Sequence, residues 1–461
     1  MNTKSLSLLT AVLLLLAGSF TTVMAQSGHV LNGVGPIDQA MAGAGMAAPQ
    51  DALVPVHWNP AAIAMSKESR FDLSIQFLQP TGSIESSVNQ GAFGPAPSPP
   101  FPPGTPLPPA AMSGSTDSDA GPFPIPALGY VRVMPESNLT FGLGAMFVGG
   151  FGVDYEASPS PFNQDGSFNP NVNPILTPQQ AQGGLGFGAI KSEFALLQVN
   201  PTIAYKLSEQ VAIGFAPTIN YALLQVSPFP AAPPDMATGL YPDGPRTGAL
   251  GFGFQVGVHA EGASGLSAGL SIKSPQWFQD FEFTSEEITA GSEFAFNLDY
   301  PMIISGGLAY TGVENLLLAA DVRYIDFSNT DGFKDSGYNN MNAVAGFGWE
   351  SIIVAALGIQ YEVADGYPVR FGYSFNENPL PDDLAFFNTP ANALIQHRIA
   401  GGVGVRISDR VNANVAVQYG LENSGEGPWV FPAAMGGSNP GTSVKNTLST
   451  LTFIAGASII L

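Results

Sequence analysis

The sequence predicts an all-β protein, a transmembrane barrel of fourteen antiparallel strands that follows a small helical N-terminal part. Three observations predict this fold class. The chain is 45% hydrophobic but only 11% charged, whereas a soluble domain normally has about a quarter charged residues. Apolar and polar residues alternate in segments of about ten residues, the length of a tilted strand that crosses a bilayer. The connections between these segments alternate between long and short.

The first 25 residues are predicted to be a secretory signal peptide. Lys4 supplies a positive charge, residues 6–17 form an apolar core, and residues 23–25 suit a signal peptidase. A retained membrane anchor is the alternative, but the apolar run is short for a spanning helix. We therefore expect export and cleavage after Ala25. Beyond that residue, no uninterrupted apolar run has the ~18 to 20 residues that a spanning helix needs.

The composition argues against several classes of function. The net charge of −21 argues against nucleic acid as a partner, because phosphates require a basic surface. The absence of cysteine removes thiolate metal ligands and cysteine nucleophiles. No pair of histidines has zinc-protease spacing, and no nucleophile motif lies near any of His29, His57, His259 and His397. We therefore expect no enzyme activity, catalytic residue, metal or cofactor, and we interpret each histidine as structural or surface.

The N-terminal part of the mature chain, residues 26–68, has no strand pattern. Short helices and turns are expected there, because Asn59 and Pro60 are residue types preferred at a helix cap and at the first helical position. The chain therefore divides into the signal peptide (1–25), this N-terminal part (26–68) and a strand-rich part (69–461).

A residue period of two predicts strands, not helices, from Arg70 onward. In residues 411–422, for example, apolar side chains alternate with small or polar ones, which gives the strand one hydrocarbon face. The fourteen predicted strands lie near residues 70–88, 125–135, 139–156, 192–206, 210–225, 249–261, 265–282, 292–311, 314–328, 351–363, 367–376, 396–407, 410–422 and 446–461.

The lengths of the connections support a barrel over a soluble β-sandwich. Long connections cover residues 89–124, 157–191, 226–248, 283–291, 329–350, 377–395 and 423–445, with short turns between them. Long extracellular loops and short periplasmic turns are the known asymmetry of outer-membrane barrels. Tyr205, Tyr310 and Tyr361 each precede a short turn, as an aromatic girdle requires. A sandwich would explain the alternating residues but not this alternation of loop lengths.

Several stretches resemble the family of outer-membrane transporters for long-chain fatty acids and aromatic hydrocarbons. The most specific is Asn59-Pro60-Ala61, which follows the small-residue segment 40–48 near the mature N-terminus. Further matching stretches are Asn200–Ser208, Gly251–Gly257, Tyr300-Pro301, Arg370–Tyr373, Asn378–Pro381 and His397–Gly402. The resemblance covers essentially the whole mature chain.

This resemblance implies a fourteen-stranded barrel whose lumen is plugged by an N-terminal hatch. It also implies that outer loops capture an apolar or amphipathic ligand, which passes to a greasy interior site. Release would occur sideways through the wall when the hatch moves. Asn59, Pro60 and Ala61 would belong to this hatch or gate. A plain helix cap is the structural alternative, and the two roles are compatible.

The resemblance also suggests ligand-binding residues in the loops. Lys334 aligns with a basic position that lies near the ligand head group in the family, although a solvated surface charge is the equal alternative. Residues 221–227 carry no basic side chain where a second carboxylate partner is expected, which leaves room for uncharged hydrocarbons. Phe229, Leu240 and Tyr241 make the third long loop apolar. They fit either a capture groove or simple loop packing.

Two arginines are further candidates inside the barrel. Arg323 and Arg398 face inward by the parity of their strands. Ligand contact is one role for them, but internal pairing with Asp321 or Glu362 is favoured, because barrel interiors commonly pair their charges.

The predicted function is passive uptake of hydrophobic molecules, foremost long-chain fatty acids, across the outer membrane of a Gram-negative bacterium. Uncharged hydrocarbons or aromatics are alternative ligands, and a general porin or surface adhesin is a further alternative. A porin usually lines its pore with rings of opposite charge, and the 15 Lys and Arg residues of this chain are few for such rings. Expected partners are the hydrophobic ligands, outer-membrane lipid, lipopolysaccharide and the barrel insertion machinery. We expect a monomer, although the terminal Leu461 departs from the aromatic residue that usually ends such chains.

Overall fold

A closed barrel dominates the computed structural model, which describes residues 26–95, 104–163, 165, 167–285 and 292–461. The predicted signal peptide lies outside these residues. Within them, fourteen antiparallel strands form the wall, and the last strand pairs with the first. None of the helices in this part of the chain is both long and apolar enough to span a membrane.

The barrel strands are numbered in chain order, and each pairs with the next. They are β1 (Arg70–Val88), β2 (Phe123–Val133), β3 (Leu139–Tyr155), β4 (Ile190–Lys206), β5 (Val211–Ser227), β6 (Gly244–Glu261), β7 (Leu266–Lys273), β8 (Ile303–Val313), β9 (Leu316–Ile325), β10 (Ile352–Glu362), β11 (Pro368–Asn376), β12 (His397–Ser408), β13 (Val411–Val430) and β14 (Ser438–Ile460). This topology confirms the predicted all-β barrel.

The two faces of the wall differ in polarity, as the residue period of two predicts. In β1, Leu73 and Phe77 point outward with 46% and 47% of their surface exposed, whereas Ser74 and Gln76 point inward and are buried. Apolar side chains outside and polar ones inside are the reverse of a soluble protein. This arrangement suits a wall that faces lipid.

The N-terminal residues 27–65 fill the lumen and are called the plug below. They contain helix α1 (Gly35–Ala40), helix α2 (Leu53–Trp58) and a 3₁₀ helix (Pro60–Met65). Helix α1 packs against β11 to β14 and β1, whereas the 3₁₀ helix packs against β3 to β6. Because these strands lie on different sides of the barrel, the plug reaches across the lumen.

Some strand ends differ from the sequence prediction. β7 and β8 are shorter than the seventh and eighth predicted strands, because Pro275 follows β7 and Pro301 precedes β8. Proline lacks the N–H group that a strand ladder needs. Beyond Pro275, Trp277–Phe278 still pairs with β6, and Phe281–Ser285 pairs with Ser292–Phe296 in a separate hairpin. β13 and β14 are longer than predicted and shorten the last long loop.

Candidate functional site

An aromatic chamber surrounds the side chain of His29, which belongs to the plug. The chamber combines rings from β4, from the residue before Pro301, and from the loop 326–351. The rings are Phe194, Tyr300, Phe327, Phe333 and Trp349, with centroids 5.7, 5.2, 5.4, 4.7 and 5.9 Å from that of His29. Phe333 stacks on the imidazole with an interplanar angle of 12°.

The imidazole of His29 is uncharged in this chamber. It is fully buried, and neither ring nitrogen has a hydrogen-bond partner among the described residues. Burial lowers the pKa of His29 to about 3, since the charged form would lose its hydration. A small polar ring therefore occupies a site lined by aromatic rings. An apolar ring of similar size would fill this site at a lower desolvation cost.

The barrel wall is interrupted beside the chamber. β2 pairs with β3 only along residues 127–133 and 140–146. Beyond this stretch the plug takes the place of β2, because Val30 pairs with Gly149 and the N–H of Gly150 donates to the carbonyl of His29 at 3.0 Å. The segment that fills the chamber therefore also seals this gap in the wall.

The local sequence explains why β2 and β3 separate. Pro124 and Pro126 of β2 have no N–H group to donate. The pairing of β3 with β4 shifts its register between Phe147 and Gly149, as in a β-bulge, which bends a strand. A Cβ atom on Gly149 would lie 2.7 Å from the carbonyl oxygen of His29, so only glycine permits this close approach.

The predicted gate residues form the joint between the plug and the wall. Asn59 Oδ1 accepts a hydrogen bond from the N–H of Ala61 at 3.1 Å, and Asn59 Nδ2 donates to the carbonyl of Val258 at 3.1 Å. Pro60 begins the 3₁₀ helix. Gly214 makes room for this helix, because a Cβ atom there would lie 2.3 Å from the backbone of Pro60 and Ala61. The motif is thus a helix cap that also fastens the plug.

Asp321 on β9 anchors the opposite side of the plug. Its Oδ2 atom accepts hydrogen bonds from the backbone N–H groups of Gly45 and Met46 at 3.0 and 2.9 Å. The same oxygen accepts from Arg323 at 3.0 Å. These buried contacts tie the loop between α1 and α2 to the wall.

Arg323 extends this anchor into the plug. It donates to the carbonyl of Gly43, and its guanidinium lies 3.7 Å above the ring of Trp58. The indole N–H of Trp58 in turn donates to Asp38 at 2.9 Å. Burial raises the pKa of Asp38 to about 6, although the charge of Arg323 opposes this shift. Arg323 thus helps to hold the plug, although its Nε has no hydrogen-bond partner among the described residues, and its contact with a ligand stays a prediction.

The other two predicted cations lie in different surroundings. Lys334 is exposed and forms an ion pair with Asp331, which raises the pKa of the lysine. Its neighbour Phe333 points into the chamber. Arg398 is buried and donates to Asn376 Oδ1 at 2.6 Å. The binding roles of both cations also stay predictions.

The predicted capture residues lie near two small apolar cavities of about 40 and 30 Å³ among the long loops. Phe229 is buried, lines the smaller cavity and contacts Phe283 at 4.8 Å between ring centroids. Tyr241 is half-buried, 6.1 Å from the ring of Phe187, which lines the larger cavity. Leu240 lines neither of the two. The roles of these residues in ligand capture stay predictions.

Sequence reasoning alone misses the aromatic chamber. It assigns His29 a structural or surface role, and the five rings come from segments that are distant along the chain. The one available signal is the aromatic density of a single loop, which contains Phe327, Phe333 and Trp349.

A closed barrel with an apolar outer face, a plug and an apolar chamber defines a plugged outer-membrane transport channel. The family described as "Outer membrane protein transport protein (OMPP1/FadL/TodX)" matches residues 184–425, and the chain belongs to this family. Its members transport hydrophobic compounds across the outer membrane, which establishes the location of this chain.

Solved structures of this fold confirm the architecture. The Pseudomonas putida toluene transporter TodX is 15% identical, with a TM-score of 0.63 over 94% of this chain and 99% of that chain. A Pseudomonas aeruginosa FadL homologue is 14% identical, with a TM-score of 0.67 over 94% and 100%. The Ralstonia pickettii toluene transporter TbuX is 15% identical, with a TM-score of 0.56 over 92% and 98%. At these identities the similarity shows the fold alone. No curated protein matches the sequence.

Replacement of Asp321 by alanine is expected to loosen the plug. Two buried N–H groups and a guanidinium lose their acceptor, at roughly 1–3 kcal/mol for each group left unsatisfied. Hydrogen exchange at Gly45 and Met46 is expected to become about tenfold faster or more. Asp365→Ala is the control, since it removes an exposed ion pair with Arg406 and leaves the plug intact. Equal exchange rates in wild type and Asp321→Ala would contradict the anchor.

The segment that contains His29 is expected to be released from the chamber more readily at acidic pH. A released His29 takes up a proton below a pH of about 6.5, whereas the buried ring, with a pKa of about 3, does not. Protonation therefore favours release as the pH falls from about 6.5 toward 3, by about 1.4 kcal/mol per pH unit.

The measurement is the labelling rate of a single cysteine, Ser27→Cys, in this cysteine-free chain. The rate at pH 5 is expected to exceed that at pH 7 by about tenfold, after normalisation to an exposed Met341→Cys. His29→Phe keeps the ring and removes the titration, so most of this pH dependence is expected to vanish. The same pH dependence with and without His29 would refute the prediction.

Proposed function

We propose that this chain carries out passive uptake of hydrophobic molecules, with the aromatic chamber as ligand site and residues 26–30 as gate. The observation that supports this proposal is that His29 fills the chamber while the adjoining backbone seals the wall at Gly149. A ligand that displaces His29 from the chamber also draws the backbone of residues 29–30 away from Gly149 and Gly150 in the wall. Arrival of the ligand and opening of the wall are thereby coupled.

The proposed route has three steps. The ligand first inserts between the apolar loops at Phe229 and Phe187, where the two cavities of about 30 and 40 Å³ must widen to admit it. It then enters the chamber as residues 26–30 withdraw. It finally leaves sideways between β2 and β3, where the strand ladder is already absent. Sideways release suits a hydrophobic molecule, because the molecule passes directly into hydrocarbon without crossing water.

Long-chain fatty acids are the first substrate class that we propose. An amphiphile needs apolar contacts for its chain and polar contacts for its head group. The inner face of β4 offers both in order, from Phe194 and Leu196 to the amides of Gln198 and Asn200, all of them buried. This gradient along one strand supports a ligand with a polar end.

Neutral aromatic hydrocarbons are the second candidate. A single aromatic ring, the imidazole of His29, already occupies the chamber, and aromatic rings surround it. Two of the structures of the same fold are described as toluene transporters. A general porin is not favoured, since the plug fills the lumen.

A cross-link that fixes the gate is expected to abolish uptake. Ser27 Oγ lies 3.3 Å from Asn376 Oδ1 on β11, so Ser27→Cys with Asn376→Cys places two thiols in bonding range. No other disulfide can form within the chain, because it has no native cysteine. Uptake of radiolabelled oleate and toluene is measured in a Gram-negative host that lacks its own transporter. Oxidation should lower uptake to the host background, and a reductant should restore it.

The two single-cysteine variants are the matched controls and should transport under both conditions. Uptake of oleate or toluene by wild type above the empty host supports transport, and the preferred compound identifies the substrate class. Continued uptake by the oxidised pair would refute the gate. Failure of wild type to transport either compound, despite confirmed barrel insertion, would refute the proposed function.

A further inference from the structure

Lys273 is a buried cation on the inner face of β7 that lacks a carboxylate partner. Only 2% of its surface is exposed, and its one hydrogen bond among the described residues is to Gln198 Oε1 at 3.1 Å. None of the ion pairs in the described part of the chain includes it, whereas buried Arg323 is paired with Asp321. A buried ammonium group with a single neutral partner is costly, because it has lost most of its hydration.

The amides around Lys273 are already committed to each other. Gln198 Nε2 donates to Asn220 Oδ1 at 2.7 Å, and Asn220 Nδ2 donates to Gln276 Oε1 at 2.8 Å. Gln276 Oε1 also accepts from Thr218. Each of these oxygens has a donor already. The network therefore holds its own side chains in place and leaves the positive charge of Lys273 uncompensated.

The plug presents unused polar atoms to the same place. Neither ring nitrogen of His57 has a hydrogen-bond partner among the described residues. Burial, and then the charges of Lys273 and Arg323, hold the pKa of His57 well below its usual range, so the ring is neutral and can donate one N–H. Asn200 Oδ1 and Gln255 Oε1 are likewise unpartnered. The joint between plug and wall thus has spare hydrogen-bonding capacity.

This polar site is connected to the aromatic chamber through Gln276 and Tyr300. The backbones of Gln276 and Tyr300 exchange hydrogen bonds of 2.9 and 3.2 Å, and the ring of Tyr300 belongs to the chamber. Along β4, Phe194 of the chamber and Gln198 of the amide network are four residues apart, roughly 13 Å. A ligand that spans this distance from the chamber would bring its end to Gln198, the hydrogen-bond partner of Lys273.

We propose that Lys273 binds the carboxylate of the transported molecule, in a polar subsite formed with Gln198 and His57 beyond the aromatic chamber. This inference rests on the proposed function and names its substrate class, a monocarboxylate with an apolar body. The route selects this class over a free inorganic anion, because an ion without an apolar body cannot replace His29 among aromatic rings. The carboxylate would supply the negative charge that the wall does not.

The test compares two ligands of equal chain length, dodecanoate and 1-dodecanol, with the purified full-length mature barrel. Lys273→Met is expected to weaken dodecanoate binding about tenfold or more, since a hydrogen-bonded charge is lost. Binding of dodecanol is expected to change less than about threefold. Lys273→Arg retains the charge and should bind dodecanoate more tightly than Lys273→Met. Lys206→Met is the matched control for loss of a cation elsewhere, since Lys206 ends β4 at the far end from Phe194 and has no part in the proposed site.

Each outcome decides the assignment. A selective loss for dodecanoate in Lys273→Met, larger than in Lys206→Met, supports the subsite. Equal losses for both ligands, equal losses in both variants, or no loss would overturn it while leaving the uptake function intact. If wild type binds neither ligand, the subsite and the proposed function both fail. Should Lys273→Met not form a folded barrel, Lys273→Gln with the same ligand pair decides instead.

Discussion

Every backbone N–H and C=O group inside the hydrocarbon layer must find a hydrogen-bond partner within the protein. Pairing of β14 with β1 meets this requirement for the wall as a whole, because it leaves no open edge. At one place the plug meets it instead. Where β2 no longer pairs with β3, His29 and Val30 supply partners to Gly150 and Gly149. The wall is complete there only while the N-terminal segment stays in place.

The lumen contains two kinds of contact between plug and wall. On β9, Asp321 and Arg323 compensate each other and bind the plug backbone, so that side is anchored and electrically balanced. Around β4 and β7 the polar groups are less balanced, because Lys273 has no carboxylate and His57 has no hydrogen-bond partner among the described residues. Both sides have buried atoms without a partner among the described residues, but only the side at β9 holds the plug backbone with a pair of opposite charges.

Much of the architecture follows from the sequence, because lipid imposes a strict residue period on each strand. Strand number, strand order and loop alternation are all predictable on that basis. The ends of β7 and β8 are not predictable in this way. The alternation of apolar and polar residues continues past Pro275 and Pro301, but the two strands do not extend past these prolines. The inward direction of Lys273 follows from its parity, but its missing partner does not. Closure of the barrel decides which side chains meet across the lumen. The aromatic chamber around His29 depends on this closure as well.

In the proposed mechanism, His29 keeps a passive channel shut and lets its own ligand open it. When His29 leaves the chamber, its nitrogens regain hydrogen bonds with water, while the chamber loses its ring contacts. These two effects oppose each other, so the lost hydration of His29 reduces the net stabilisation of the closed state. A ligand that restores the ring contacts shifts the balance toward opening. Its apparent affinity equals its intrinsic affinity for the open channel multiplied by the fraction of channels that are open. A hydrophilic solute restores none of these contacts. Under the proposed mechanism, the contacts that close the channel are therefore also the contacts that select its ligand.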